Sequence, residues 1–246
     1  MAQKSLTEYC FETLSKEVNL TRVAGLEDVE KITLPNGDDG GGIKIYSGEG
    51  AVEKATCVDL EFGDGTPIPH FDNALALGAE VFQIRPDFSY KLPTWGINSI
   101  IMEDGGYYFD TDFIFGFDLV MDYDFTMKYL GPFDDVFKKY LRHKDFQQTP
   151  RDKMTLWIRT YLSPVFIMVD TRVEHLDVVH ELCAELIQCW MRMCRDAEKQ
   201  DEAFKQSQLK RVMSQYAGMQ QTDRMGKLMM DVYGQENFGK FMKAMM

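Results

Sequence analysis

The chain has 246 residues, which suits one large domain or two small ones and is enough to bury a full core. Its 39 acidic residues outnumber 27 basic ones, and the net charge of −12 argues against general nucleic-acid binding. No apolar run approaches the ~20 residues of a membrane span, so a soluble globular protein with no membrane association is expected.

No linker-like boundary divides the chain, and a single domain over 1–246 is expected. Five cysteines, odd in number and without paired C-x-x-C spacing, fit a reducing compartment and no zinc or redox site. Met1 leads into an amphipathic segment with acidic residues, so neither a secretory signal nor an Arg-rich transit peptide is read there. The charge is uneven: residues 203–246 carry seven basic and three acidic side chains, a local balance of +4 on an acidic protein.

Residues 5–18 place Leu6, Tyr9, Cys10, Leu14 and Val18 at helical spacing, with Ser5 as N-cap and Glu8 three residues on. Residues 36–42 resemble part of a calcium loop but lack the Glu at the twelfth position, and they read as a turn. Short strand-like segments follow at 43–46, 51–62, 79–84, 95–102 and 108–121. Gly, Pro and Asp clusters separate them rather than helix-length crossovers, so the pairing should be mostly antiparallel. In the second half, 135–143 reads as helix and 165–169 as strand. Residues 173–198 form a long amphipathic helix with a stripe of Leu176, Val179, Leu182, Cys183, Leu186, Trp190 and Met193. Two further helices fit 202–216 and 223–233, the latter with Thr222 as N-cap and Gly234 as stop. Helices on both faces of an antiparallel sheet predict an α/β/α sandwich.

The sharpest chemical feature lies in the run 113–121, where Asp118 interrupts an otherwise apolar segment. Read as a strand, Phe113, Phe115, Phe117, Leu119 and Met121 share a core face, while Ile114, Gly116, Asp118 and Val120 share the other. Two readings stand side by side. In one, Asp118 is a buried acid with a raised pKa that donates protons, and Gly116 clears space for a flat ligand. In the other, Asp118 sits on an edge strand and faces water. Asn98 and Gly96 repeat the glycine-plus-polar pattern on the preceding strand, and Asn98 reads either as a satisfied core amide or as a wall of the same cleft. Asp223 opens a helix, where negative charge is favoured by exposed N–H groups. The chain has no P-loop, dinucleotide-binding glycine fingerprint, H-E-x-x-H motif or nucleophile elbow. Its four histidines, His70, His143, His175 and His180, are scattered without metal-ligand spacing.

Phe115-Gly116-Phe117-Asp118-Leu119-Val120 resembles the F-G-x-D-[IL]-V strand of the ferredoxin-dependent bilin reductases. Further on, Leu162-Ser163-Pro164 resembles an F-S-P segment of that family. Ser214-Gln215-Tyr216, Thr222-Asp223 and Val232-Tyr233-Gly234-Gln235-Glu236 resemble its closing pattern. The resemblance is scattered but ordered, covers residues 95–246, and departs from the family in a longer 103–112 segment.

The resemblance implies an α/β/α sandwich holding an open-chain tetrapyrrole between the sheet and the C-terminal helices. It implies no bound flavin, metal or nicotinamide, with reduced ferredoxin supplying electrons one at a time. Asp118 and Asp223 would be the catalytic proton donors, with Asn98 and Gly116 at the substrate and Arg85, Lys210 and Arg211 as candidates for its propionates. Two acids and an Asn match the phycoerythrobilin-forming branch, acting on 15,16-dihydrobiliverdin, with biliverdin as the alternative substrate. Such an enzyme would be a monomer meeting ferredoxin and, in its pathway, a preceding bilin reductase or a bilin lyase. It would lie in the plastid stroma of a eukaryote, or in the cytoplasm if cyanobacterial or phage-encoded. A red chlorophyll catabolite reductase, and a non-catalytic bilin carrier or lyase, are the other readings.

Overall fold

Ser5 opens the first element as its sequence predicts: its hydroxyl accepts the Glu8 N–H at 3.2 Å, and helix α1 runs Leu6–Ser15. The computed structural model describes residues 4–34, 36–68, 74–150, 154, 156–222 and 224–245. After α1 come β1 (Thr21–Arg22), α2 (Glu27–Glu30), β2 (Gly41–Ser47), β3 (Val52–Ile68), β4 (Ala74–Pro86), β5 (Thr94–Met102) and β6 (Gly106–Ile114). The second half holds α3 (Tyr123–Phe125), a π-helical turn (Thr126–Leu130), α4 (Gly131–Leu141), β7 (Gln147–Gln148), α5 (Leu156–Arg159) and β8 (Ile167–Arg172). A short 3₁₀ turn leads into α6 (Leu176–Asp196), then α7 (Glu202–Thr222) and α8 (Arg224–Met245). Among the described residues, no helix is long and apolar enough to cross a membrane.

The strands form one sheet of eight in the order β1-β2-β3-β4-β5-β6-β8-β7, and every neighbouring pair is antiparallel. Helices lie on both sides, so the molecule is the expected α/β/α sandwich. Strand alternation divides the side chains cleanly. Cys57, Phe82, Ile84, Trp95, Ile97, Phe109, Phe113, Ile167 and Val169 face α1, α4 and α6 and join one core. Val58, Leu60, Ala79, Ile100, Tyr108 and Met168 face the other way and meet Tyr233 and Phe241 of α8.

On the first face, the predicted stripe of α6 is buried from Val179 through Leu182, Cys183, Leu186 and Trp190 to Met193. The Trp190 indole N–H donates to Pro93 O at 2.9 Å, so the largest side chain of the helix is also polar-satisfied. Glu80 anchors α1 to the same face by accepting Leu6 N–H at 2.9 Å, with Ser99 and Tyr107 hydroxyls on its other oxygen. Burial pushes this carboxyl above its usual range, and its donors offset part of that cost.

Two expectations change. The strand expected over 108–121 ends at Ile114, because Ile114 pairs with Thr94, the first residue of β5, and β8 pairs only as far as Thr111. Beyond that point the ladder offers no partner on either side, and Phe115 and Phe117 fold back instead against Phe125. The Gly234 stop is real but local: φ 78°, ψ 160° break α8 there, and helix resumes after it.

Trp95 is fully buried between Phe82 and Phe113, with ring centroids at 5.9 and 6.4 Å. Trp95→Ala should cost about 3–5 kcal/mol of unfolding free energy in urea titrations, and a loss under about 1 kcal/mol would contradict this packing.

Candidate functional site

β5 lies in the middle of the sheet, yet Asn98 at its centre is exposed, and Val81, Gly96 and Asp110 around it are only half-buried. A central strand normally hides both faces. Among the described residues, α8 meets β2 and β3, where the Tyr233 hydroxyl donates to Gly40 O at 3.2 Å and Glu61 O at 2.8 Å. α7 reaches the sheet at Gln83, whose amide nitrogen donates to the Tyr216 hydroxyl at 3.0 Å. The 162–165 segment closes the opposite flank through Ser163, leaving a polar floor between the two.

Register sets which residues share this floor. One row across the sheet reads Thr56, Gln83, Gly96, Asp112, and the next reads Val58, Val81, Asn98, Asp110, Met168. Asp110 is held by two donors: Asn98 Nδ2 at 2.8 Å on one oxygen and the Tyr108 hydroxyl at 2.8 Å on the other. Asp112 is buried, accepting Phe113 N–H at 2.8 Å and Ser163 N–H at 3.0 Å. Burial drives its carboxyl up to about 7; the Ser163 and Phe113 donors oppose the shift and the Asp110 charge adds to it. Two carboxylates two residues apart on one strand therefore sit in unlike settings, one hydrogen-bonded by side chains and half-exposed, the other desolvated and half-protonated near neutrality.

The expected site residues divide accordingly. Asn98 lies on the floor, opposite Asp110 rather than beside Asp118. Asp118 is outside the strand and exposed, its carboxylate accepting Val120 N–H at 2.9 Å within its own turn, so the buried-strand reading of its position is corrected. Gly116 is buried under α7: a Cβ there would stand 2.2 Å from Gln208 Cγ, so its missing side chain makes room for a helix and not for a ligand. Arg85 lies on the floor side next to Lys54, and its Nε–H donates to Glu53 Oε2 at 3.0 Å. Burial, reinforced by Arg85, lowers the Lys54 ammonium to about 8. Lys210 and Arg211 are exposed on α7. Asp223 and His70 lie outside the described residues. His180 stacks on Tyr9 at 4.2 Å between α1 and α6, far from the floor residues in the fold. Among the described residues, no three His, Cys, Asp or Glu side chains gather into a metal site.

Asp110 and Asp112 were not singled out from the sequence, although the signal was present. The alternation that put Ile114, Gly116 and Asp118 on one face, extended toward the N-terminus, puts Asp112, Asp110 and Tyr108 on that same face.

No protein-family model matches the sequence, and no curated protein matches it. Among solved structures the chain is similar to phytochromobilin synthase from tomato in complex with biliverdin, with a TM-score of 0.72 and 12% identity over 95% of this chain and 78% of that one. At that identity the likeness establishes the sandwich fold.

Two outcomes follow from the geometry. Asp112 has a folded pKa near 7 against ~3.9 for an unfolded Asp, so the folded state binds the extra proton and loses stability as pH rises from about 4 to 7. Subtracting the stability curve of Asp112→Asn from that of the native protein should isolate this decline, and a flat difference would remove the proton from Asp112. Gly116→Ala should cost about 1–3 kcal/mol by overpacking against Gln208, whose amide is tied to Phe88 O and Tyr90 O; unchanged chemical denaturation would contradict the close approach.

Proposed function

We propose that this chain is a ferredoxin-dependent bilin reductase whose open-chain tetrapyrrole lies on the floor formed by Asn98, Asp110 and Asp112. The observation that carries the proposal is Asp112, a buried carboxyl that desolvation pushes up to about 7, beside a polar, exposed patch at the centre of the sheet. The sequence resemblance and the fold shared with a biliverdin-bound structure support the same reading. The proton-donor role expected of Asp118 passes in this proposal to Asp112.

Reducing one carbon–carbon double bond takes two electrons and two protons. Reduced ferredoxin supplies the electrons singly, and its docking is assigned to the basic 203–246 region, where charge opposes that of an acidic partner. Each added electron raises the basicity of the conjugated system, and a nearby neutral acid can then transfer a proton without bulk water. Asp112 serves as that acid. Asp110, steered by Asn98 and Tyr108, accepts hydrogen bonds from pyrrole N–H groups and stabilises positive charge as it develops. Asp223 keeps the role of second proton donor that the resemblance assigns it. Arg85 and Lys54 place positive charge where the bilin propionates can reach it. The specific step proposed is 15,16-dihydrobiliverdin to phycoerythrobilin.

Anaerobic turnover with reduced ferredoxin and either biliverdin or 15,16-dihydrobiliverdin, with products separated by HPLC, tests this directly. Absence of spectral change with both bilins would overturn it, and tight coloured binding without reduction would make the chain a carrier. Asp112→Asn should still bind bilin but reduce it about 10²–10⁴-fold more slowly. Because the acid form is the active one, the native rate should fall as pH rises through about 7.

A further inference from the structure

The loop that follows β6 exposes apolar side chains that neither the sheet nor the polar floor uses. Val120 is 90% exposed, Met121 84%, Tyr123 71% and Met127 54%, all within one short stretch of chain. Turns are ordinarily built from Gly, Asn, Asp and Ser, so local geometry asks for neither Val nor Met at this tip. The loop is also braced. Asp118 accepts Val120 N–H at 2.9 Å, the Thr126 hydroxyl donates to Leu119 O at 2.9 Å, and Asp122 accepts Phe125 N–H at 3.1 Å while pairing with Lys91. Phe117 and Phe125 pack edge to face behind it, with ring centroids 5.0 Å apart. Apolar surface gathered in one place marks an interaction site more than scattered residues do, and a knob already held in one shape loses little conformational freedom when it is covered.

A matching hollow lies nearby. Between α4 and α6 a groove of about 350 Å³ is lined by Pro132, Val136, Ala184, Gln188, Cys189 and Arg192. Ala184, Gln188 and Arg192 follow one another at four-residue spacing along a single ridge of α6. The next residue on that ridge, Asp196, pairs with Lys128 at 2.9 Å in the π-helical turn beside the knob. At 1.5 Å per residue, Gln188 in the groove and Asp196 at the base of the knob are about 12 Å apart. Groove and knob are therefore neighbours, on the helical layer that lies across the sheet from the polar floor. Their exposed charges are opposite: Arg192 stands at the groove, while Asp118 and Asp124 flank the knob. Those acids disfavour an acidic partner at this surface, whereas a second copy of the chain brings both halves of the match.

We propose that the chain pairs with a second copy of itself through a two-fold contact in which the knob at Val120 and Met121 of each copy enters the other's α4–α6 groove. A half-turn about an axis lying in this surface, midway between knob and groove, exchanges the two, so the contact is reciprocal and closes at two copies. The unbranched thioether of Met121 adapts to a shallow, irregular hollow. Asp124 of one copy meets Arg192 of the other, twice over. Both polar floors face away from the contact and stay open, so the pairing is independent of the bilin reading. It replaces the monomer expected from the family resemblance.

Sedimentation velocity of the native protein from about 1 to 100 μM tests this, and should show a monomer–dimer equilibrium without larger species. Met121→Lys in the knob and Ala184→Lys in the groove alter side chains outside the core, so the circular dichroism spectrum should be unchanged while each weakens the dimer at least about tenfold. Mixed together, the two variants should pair with each other better than either does with itself, because one native knob then meets one native groove. Asp124→Arg and Arg192→Asp should each weaken association, and the two combined in one chain should restore it. A native protein that stays monomeric throughout would overturn the contact. So would a dimer that both lysine variants leave intact, or growth beyond two copies, which would mean head-to-tail assembly.

Discussion

The register between β5 and β6 is the constraint on which the rest of this molecule depends. Pairing Asn98 with Asp110 and Gly96 with Asp112 puts both acids on the face that α7 and α8 leave partly open. The same register sends Trp95, Ile97, Phe109 and Phe113 into the core under α6. Because side chains alternate with a period of two, a slip of one residue would drive Asp110 and Asp112 into that aromatic core and expose the aromatics. The cost of burying two unpaired carboxylates there fixes the alignment as firmly as the hydrophobic gain does.

The two faces use buried carboxyls differently. Glu80 is closed over by α1, and its donors are structural: a helix N-terminus, a serine and a tyrosine. Asp112 has backbone donors too, but its strand neighbours on the same face are an exposed amide and a half-exposed carboxylate. Both have raised affinity for a proton through desolvation, and they differ in what surrounds them. The helix that bounds the site is placed by a contact of equal stringency. α7 comes so close to the loop after β6 that only glycine fits at position 116, and this approach carries Tyr216 to Gln83. The loop glycine and the cleft are thus linked through helix position.

Much of the architecture was legible in the chain. The Ser5 cap, the α6 stripe, the antiparallel strand segments and the break at Gly234 all rest on interactions within a few residues, so local pattern sufficed. The site was legible in kind more than in place. Asn98 and Gly96 lie on the half-open face of the sheet, whereas Asp118, expected there because the run around it is apolar and matches a known motif, lies beyond the end of the strand. Apolarity there has another cause: Phe115 and Phe117 leave the sheet to pack with Phe125 and, in the case of Phe117, with Phe204.

By itself, the sequence determined the sandwich class, the two-residue alternation along each strand, and the presence of acid, amide and glycine on one face near the middle of the chain. Only tertiary structure decided which acid is buried. That depended on where β6 runs out of partners, on the Ser163 segment that arrives from fifty residues away to cap Asp112, and on how near α7 approaches. Each of these is a contact between distant parts of the chain. Desolvation, which sets the proton affinity of Asp112, is a property of everything that surrounds a group and cannot be read from its neighbours in sequence.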